Sequence, residues 1–361
     1  MMTISLAIVA YNEEKCLPLL LEDIRAQSYP HDKIEILLVD SFSEDKTKEE
    51  MESFAEEGGF RQIRVYDNPG CRQSTGWNVA IREFLADESK TSAALVRVDA
   101  HARIPSDFIQ RCVEALGDDN TCREDVVGGV RPTICESDSA WSKTLWMAEE
   151  SMFGSSTSSI RRMSDQNTEE NPVVIEDPAD RNYVKTVFHA CYRREVLEKL
   201  GGFREDLGRT EDNEFHYRIR NNGYRIYCSP NIYSEQYVRP TLRGMLKQKA
   251  GNGFWIGRTL GIAPGCISLY HLVPFAFVMA ILTTIVLCVI GYPVFLQLLT
   301  AVYASAAVLM AVFSAFSMQR NRDRVPPTAL LLPVIFFCLH VSYGAGTLIG
   351  LLSIPFGRKK K

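Results

Sequence analysis

The chain has 361 residues, of which 23% are charged, and its formal net charge at pH 7 is −4. This length suggests about two domains, and the slightly acidic balance excludes a strongly basic nucleic-acid-binding protein. The ten cysteines form no Cys-x-x-Cys pair, so the sequence supports neither a zinc knuckle nor a dithiol redox motif. We interpret them as small buried residues in a reducing compartment.

Short apolar runs alternate with amphipathic runs through the first hundred residues. We predict strands at 4–10, 34–40, 63–66 and 95–98. Between them we predict helices at 13–27, from a cap at Ser43 or Asp45 to about 57, and at 74–85. Strands and helices that alternate in this way predict a three-layer α/β domain with a mostly parallel sheet.

Polar residues follow each predicted strand. They are Tyr11, Asn12 and Glu13, then Asp40, then Asp67 and Asn68, then Asp99 and His101. Open α/β sheets bind ligands outside the carboxyl ends of their strands, so this row predicts a site. The chain has no Gly-x-Gly-x-x-Gly after the first strand and no P-loop motif. Both absences count against a dinucleotide oxidoreductase and a P-loop enzyme.

Asp99 and His101 are two residues apart at the end of a predicted strand, so both side chains can point into one crevice. A carboxylate and an imidazole make half of a divalent-metal site, and phosphate oxygens can complete the shell. The alternative is a loop aspartate that caps the next helix, which we predict near Pro105, and a surface histidine.

Later segments are less regular. We predict a strand at 126–132, a helix at 140–153, a loop at 154–181, a strand entering a helix at 186–200, and a last strand at 224–229. The loop is either a lid over a ligand or a dispensable insertion. His189 is either a functional residue or a buried, hydrogen-bonded core histidine. Thr210 can cap a helix whose first turn carries Glu211 and Asp212, where acidic residues suit the helix dipole.

The opening strand with Tyr11-Asn12-Glu13-Glu14, the strand ending in Asp40, Asp-x-His at 99–101 and Glu211-Asp212 together resemble family 2 glycosyltransferases of the GT-A fold. The similarity extends to the membrane-anchored bacterial polysaccharide subgroup, of the succinoglycan-glucosyltransferase type. It covers about the first 260 residues and extends toward the membrane part.

The resemblance implies a role for each matching residue. Asp212 is the general base, with Glu211 beside it, and Asp99 and His101 hold Mn²⁺ or Mg²⁺. Because imidazole is softer than carboxylate, we expect Mn²⁺ to serve at least as well as Mg²⁺. Residues expected to bind the nucleotide sugar are Ala10, Tyr11, Glu13, Asp40, Arg72, Asp99, Gln248 and Trp255. Arg72 has the alternative of a solvated helix-start cation. The element at 248–255 departs from the family's Gln-x-x-Arg-Trp pattern, since no Arg follows Gln248 at the expected spacing.

The C-terminal third predicts membrane association. The amphipathic run Thr241–Arg258 fits a helix lying on an anionic leaflet. Three apolar stretches at 267–292, 294–318 and 328–354 are each long enough to cross a bilayer. We therefore predict a cytosolic GT-A domain at 1–235, an interfacial segment at 236–266, a transmembrane region at 267–354 and a basic tail at 355–361.

Nucleotide sugars are cytosolic, so we expect the catalytic domain on the cytoplasmic side of the inner membrane. The first two spans then return the basic loop at 319–324 to the cytosol, as the positive-inside tendency favours. A third crossing places the basic tail outside, so either that segment is re-entrant or the tail departs from the tendency.

We predict inverting, metal-dependent transfer from a nucleoside diphosphate sugar, a UDP-sugar by family habit, to a lipid-linked saccharide in exopolysaccharide or surface-glycan synthesis. Expected partners are this donor, the acceptor and the membrane, with no nucleic acid. The alternatives are a nucleotidyltransferase on a related fold and an inactive membrane scaffold. Asp40, Asp99 and Asp212 together argue against the scaffold, and the lack of a glycine-rich loop after the first strand argues against the nucleotidyltransferase.

Overall fold

The computed structural model describes residues 1–87, 91–117, 123–154, 182–320 and 324–354. Nearly all of the predicted 154–181 loop, and the basic tail, lie outside the described residues. The chain divides into two compact units. The first unit comprises Met1–Pro132 and Ser158–Gln236, and the second comprises Thr133–Thr157 and Tyr237–Lys361.

Ten strands and eleven α-helices are described within these ranges. The strands are β1 (Thr3–Ala10), β2 (Ile34–Asp40), β3 (Gln62–Asp67), β4 (Ser92–Asp99), β5 (Ala102–Arg103), β6 (Val126–Val130), β7 (Thr133–Ile134), β8 (Phe188–Arg193), β9 (Ile226–Tyr233) and β10 (Glu235–Tyr237). The helices are α1 (Leu17–Arg25), α2 (Thr47–Glu57), α3 (Gln73–Leu85), α4 (Phe108–Leu116), α5 (Ala140–Glu150), α6 (Arg194–Leu200), α7 (Glu211–Asn221), α8 (Leu242–Thr259), α9 (Val273–Val289), α10 (Val294–Arg320) and α11 (Leu332–Leu352).

A seven-stranded sheet forms the centre of the first unit, in the order β3-β2-β1-β4-β8-β6-β9. Because successive side chains on a strand point to opposite faces, β1 contributes side chains to two hydrophobic cores, one on each face of the sheet. Ile4, Leu6 and Ile8 pack with the apolar faces of α1, α2 and α4. Ala7 packs on the other face with residues of α3, α6 and α7. The predicted three-layer α/β arrangement is therefore confirmed.

The sheet is mostly parallel, as predicted: six of its seven strands run in one direction, and only β8 runs against them. The strands β1, β2, β3 and β4 run parallel, and β6 is parallel to β9. Strand β8 is antiparallel to both of its neighbours, β4 and β6. Parallel neighbours need a crossover connection, whereas antiparallel neighbours do not; between β6 and β8 the chain passes through the second unit.

The first helix begins at Leu17, four residues later than predicted. Pro18 lies in the first turn of α1, where its missing N–H costs no hydrogen bond, and a helix from residue 13 would place this proline in its interior. Glu13 N donates to Thr47 Oγ1 at 2.7 Å, and Glu14 N donates to an Asp45 carboxylate oxygen at 3.2 Å. These bonds join the loop after β1 to the loop after β2.

The second unit contains three helical segments that are long and apolar enough to cross a membrane: Leu269–Val289, Val294–Gln319 and Pro327–Leu352. Helix α5 belongs to this unit, because its residues Leu145, Met147 and Ala148 share a buried cluster with Phe336 and Leu339 of α11. The predicted domain at 1–235 includes this stretch, whereas the structure groups Thr133–Thr157 with the second unit.

Helix α8 lies directly against α11 within the second unit. A Cβ added at Gly253 would come within 2.0 Å of Tyr343 O, and one added at Gly346 within 2.2 Å of Ala250 O. Glycine at both positions therefore lets the two backbones touch, as small residues do in membrane helix pairs. The interfacial placement of α8 stays a prediction.

Candidate active site

The carboxyl edge of the sheet gathers the predicted acidic residues. In the register of the parallel strands, Asp40 lies opposite Ala10, and Asp99 lies opposite Val9. The last residues of β1 therefore lie between the two aspartates. The predicted row of polar strand ends forms one edge, as the topology of parallel strands requires.

Asp40 makes its hydrogen bonds within the loop that follows β2. Its residue is only 1% exposed, and its carboxylate accepts hydrogen bonds from Ser43 Oγ at 2.6 Å and Ser43 N at 3.2 Å. The same Ser43 Oγ accepts a bond from Asn12 N at 3.0 Å. Asp40 thus fixes the two loops that frame this edge, while Tyr11 between them is 55% exposed. A base or ribose would meet these loops and the Tyr11 ring.

Helix α3 begins at the same edge. Arg72 is its N-cap residue, and Arg72 Nη1 donates to the backbone carbonyl of Glu205 at 3.1 Å. Gln73 Nε2 donates to Asp99 Oδ1 at 3.4 Å. The helix N-terminus therefore lies next to Asp99, and such a terminus favours anionic groups.

His101 is held from both sides of its ring. Its Nδ1 lies 3.2 Å from Glu13 Oε1, and its Nε2 lies 2.7 Å from the side-chain amide nitrogen of Gln236. Because an amide N–H₂ group can only donate, Nε2 accepts and Nδ1 carries the hydrogen toward Glu13. A carboxylate on Nδ1 is the usual arrangement behind a metal-binding histidine, but here Gln236 takes the Nε2 lone pair, and an ion at Nε2 would have to displace it.

The donor set fits a divalent ion that is also bound by phosphate. Burial alone would raise the pKa of Asp99, but the nearby His189 imidazole and the Arg97 guanidinium outweigh it and hold the pKa well below its usual range. Asp99 therefore offers an anionic oxygen, and an ion at His101 Nε2 would take the place of Gln236. No group of three His, Cys, Asp or Glu side chains assembles a complete metal shell in the described ranges. A metal held there would need phosphate or water to complete its shell.

His189 is buried, and its backbone lies in the left-handed region at φ 44°. Its Nδ1 shares a hydrogen bond with Ser234 Oγ at 2.7 Å, and its Nε2 lies 3.6 Å from Asp99 Oδ2. A non-glycine residue in this region is strained, and such strain clusters at functional sites. His189 is thus a buried histidine, and it also contacts Asp99.

The Glu-Asp motif begins helix α7, as predicted, with Thr210 as the N-cap residue. The Asp212 carboxylate receives both terminal nitrogens of the Arg97 guanidinium: Nη2 lies 2.8 Å from Oδ2, and Nη1 contacts Oδ1. Arg97 lies on β4, two residues before Asp99. This ion pair therefore joins the strand that ends at the predicted metal ligands to the helix that carries the predicted base.

The two motif carboxylates differ in their electrostatics. Glu211 is 5% exposed, and burial together with the neighbouring Asp212 charge raises its pKa to about 7. Burial acts in the same direction on Asp212, but the Arg97 guanidinium outweighs it and lowers the pKa of Asp212. Near neutral pH, Asp212 is therefore ionised, and Glu211 is the carboxyl that exchanges a proton.

Three residues of this edge were missed from the sequence: Arg97, Gln73 and Gln236. Arg97 did have a signal, because a charged residue in the apolar run Leu95–Val98 needs a buried partner. The two glutamines had none. Gln248 and Trp255 lie on α8 of the second unit, and their part in the site stays a prediction.

Comparison with known proteins fits this geometry. The model of the family "Glycosyl transferase family 2" matches residues 5–201, more than half of the chain. The chain is 24% identical over 357 residues to the dolichyl N-acetyl-alpha-D-glucosaminyl phosphate 3-beta-D-2,3-diacetamido-2,3-dideoxy-beta-D-glucuronosyltransferase of Methanococcus voltae, covering 94% of this chain and 95% of that protein. It is 26% identical over 357 residues to the succinoglycan biosynthesis protein ExoA of Rhizobium meliloti (strain 1021), covering 94% and 92%.

Among solved structures, the mannosyltransferase PcManGT from Pyrobaculum calidifontis, in complex with GDP-Man and Mn²⁺, superimposes with a TM-score of 0.55 at 19% identity. The match covers 99% of this chain and 88% of that one. This likeness confirms the predicted GT-A fold. The family match decides against the alternative of a nucleotidyltransferase. The chain is an enzyme that belongs to the family 2 glycosyltransferases.

Proposed function

We propose that the protein transfers a sugar from a nucleoside diphosphate sugar, a UDP-sugar, to a hydroxyl of a lipid-linked saccharide, with inversion at the anomeric carbon. The observation that carries the proposal is the ion pair between Arg97 and Asp212. It places the candidate base next to the strand that ends in Asp99. One sugar diphosphate can then meet the metal ligands and the base together.

The donor binds along the carboxyl edge of the sheet. The loops fixed by Asp40 and Ser43 receive the nucleoside, and the exposed Tyr11 ring offers a stacking surface for the base. The diphosphate lies near Asp99, His101 and the N-terminus of α3. Asp99 and His101 would hold Mn²⁺ or Mg²⁺, which when bound offsets the charge that grows on the departing diphosphate.

Asp212 performs the proton transfer. Its carboxylate is ionised and its side chain is 25% exposed, so an acceptor hydroxyl can reach it. The hydroxyl oxygen bonds to the anomeric carbon as its proton passes to Asp212 and the bond to the diphosphate breaks. A positioned base commonly contributes about 10²–10⁴-fold to the rate. One displacement without a covalent intermediate inverts the configuration.

The acceptor follows from the membrane part and from the relatives. The Methanococcus relative is named for a dolichyl phosphate sugar, and the Rhizobium relative for succinoglycan biosynthesis. A chain with three segments able to cross a membrane can take an acceptor whose lipid stays in the bilayer. We propose a multi-pass protein of the inner membrane with the catalytic domain at 1–235 in the cytoplasm. An interfacial segment at 236–266, the spans at 267–354 and a basic tail at 355–361 follow it.

A donor screen tests this proposal. UDP- and GDP-sugars are incubated with the full-length chain in membranes, with MnCl₂, and with or without a polyprenyl-diphosphate-linked saccharide. We expect acceptor-dependent release of UDP, loss of transfer after chelation and recovery with Mn²⁺. NMR of the product is expected to show the anomeric configuration opposite to that of the donor. Retained configuration, or full transfer after exhaustive chelation, would contradict the mechanism.

A further inference from the structure

We propose that Arg97 is a positioning residue that fixes the orientation of the Asp212 carboxylate for proton transfer. The inference deepens the proposed function and rests on Asp212 acting as the base. Arg97 touches neither the donor nor the acceptor in this account. It acts only through Asp212.

The geometry of the pair supports this role. The planar guanidinium faces both carboxylate oxygens, with Nη2 at 2.8 Å from Oδ2 and Nη1 on Oδ1. A two-point contact between two planar groups fixes the plane of the carboxylate as well as its position. Each oxygen keeps a second lone pair, so the carboxylate can still accept a proton from an incoming hydroxyl.

The surroundings of Arg97 hold its guanidinium still. Its side chain is 4% exposed, and its guanidinium carbon lies 4.9 Å from the centre of the Trp77 ring and 5.4 Å from that of Phe203. Within the described part of the chain, its buried Nε has no hydrogen-bond partner. The hydrogen bonds of the guanidinium are therefore directed at Asp212.

A central strand is a costly place for a cation. A buried ion pair is weak evidence for a stabilising role, because well-packed apolar residues of similar size often stabilise a protein as much or more. Strand β4 pairs with neighbours on both sides and ends at Asp99. An arginine on this strand connects the proposed base to the same strand that carries Asp99, one of the predicted metal ligands. This connection keeps Asp212, the proposed base, at a fixed distance from Asp99.

The chain offers a matched control in Arg194. Its guanidinium carbon lies 4.1 Å from the Phe84 ring centre, and its nitrogens donate to Ser92 O and Phe84 O at 2.8 Å each. Arg194 is therefore also buried against an aromatic ring, but its hydrogen bonds go to backbone carbonyls. An Arg194→Met change reports the cost of losing a structural arginine.

The test compares Arg97→Met, Arg97→Lys and Arg194→Met in the full-length chain, using the UDP-sugar and polyprenyl-linked saccharide that react fastest. UDP binding in MnCl₂ and thermal unfolding report the folded fraction. We expect Arg97→Met to lower kcat by about 100-fold, with the KM for the donor changed less than about threefold. Arg97→Lys keeps the positive charge but cannot contact both carboxylate oxygens at once, so its kcat should lie between those of Arg97→Met and the wild type. Arg194→Met should lower the unfolding temperature but not kcat per folded molecule.

A double-mutant cycle completes the test. If Arg97 acts only through Asp212, then Arg97→Met combined with Asp212→Asn is no slower than Asp212→Asn alone. Further loss in the double variant would overturn the inference, and so would a kcat effect no larger than that of Arg194→Met. If Arg97→Met does not fold, an Arg97→Lys variant with wild-type kcat overturns it equally. Full activity of Asp212→Asn would instead refute the base assignment, and this inference with it.

Discussion

The carboxylate of Glu13 lies 3.2 Å from Nδ1 of His101, so a residue after the first strand orients a predicted metal ligand after the fourth. The motif at 11–14, for which we propose nucleoside binding, therefore also contacts His101. It also sets which imidazole nitrogen faces the candidate metal site.

Glu13→Gln tests this orientation. The amide weakens the contact to Nδ1, and losing such a supporting partner typically lowers metal affinity by about 10–100-fold. We expect a higher Mn²⁺ concentration for half-maximal activity, with the rate at saturating Mn²⁺ much less affected. A Mn²⁺ titration of transfer measures it. Glu14→Gln, on the neighbouring exposed residue, is the control. Equal Mn²⁺ requirements for the two variants would contradict the role of Glu13.

The buried Glu211 predicts a pH dependence of stability. Its pKa is raised to about 7 in the folded state, above the value of about 4.3 in an unfolded chain. Unfolding releases its proton in that window, so its contribution to stability is present at low pH and is lost as pH rises through 7.

Glu211→Gln removes this titration. Relative to wild type, the variant should gain stability at pH 8 and show a smaller gain near pH 5, because a neutral amide avoids the cost of a second buried charge beside Asp212. Each unit of pKa shift corresponds to about 1.4 kcal/mol. Thermal unfolding of both proteins from pH 5 to 8.5 measures the difference. A gain that is independent of pH, or largest at low pH, would contradict the raised pKa.

The contact between α8 and α11 predicts a steric effect in the second unit. A leucine at Gly346 has no room against Ala250 O, so the helices must separate and the packing around Gly253 is lost. Overpacking typically costs about 1–3 kcal/mol and occasionally more. We expect Gly346→Leu to lower the unfolding temperature and the monodisperse yield in detergent. Ala301→Leu on an exposed part of α10 is the control, and equal behaviour of the two variants would contradict the close packing.

Much of the fold could be predicted because its cause is local. The fully buried run Ile34–Asp40 forms a strand with the predicted bounds, since a short apolar run before a polar turn is what a central parallel strand requires. The direction of β8 could not be predicted. Strand direction depends on how the chain returns to the sheet, and the pattern of apolar residues is the same for both directions.

Polar residues that directly follow a strand could be predicted from the sequence. Contacts between residues far apart in the sequence could not. Asp40 and Asp99 at strand ends and Asp212 in the first turn of a helix lie where their motifs predicted, and their roles stay predictions. The binding of Asp212 by Arg97 joins residues 115 apart in the sequence, and only the folded sheet brings them together. The start of α1, in contrast, had a local signal, because proline is favoured in the first turn of a helix and Pro18 lies there.

The role of Asp212 as the base is tested most directly by measuring sugar transfer by Asp212→Asn alongside UDP binding in MnCl₂. The amide keeps the size of the side chain and can still meet Arg97, but it cannot accept the hydroxyl proton. We expect transfer to fall by about 100-fold or more, while UDP binds with near wild-type affinity. Transfer at the wild-type rate, or loss of UDP binding in a folded variant, would contradict this role.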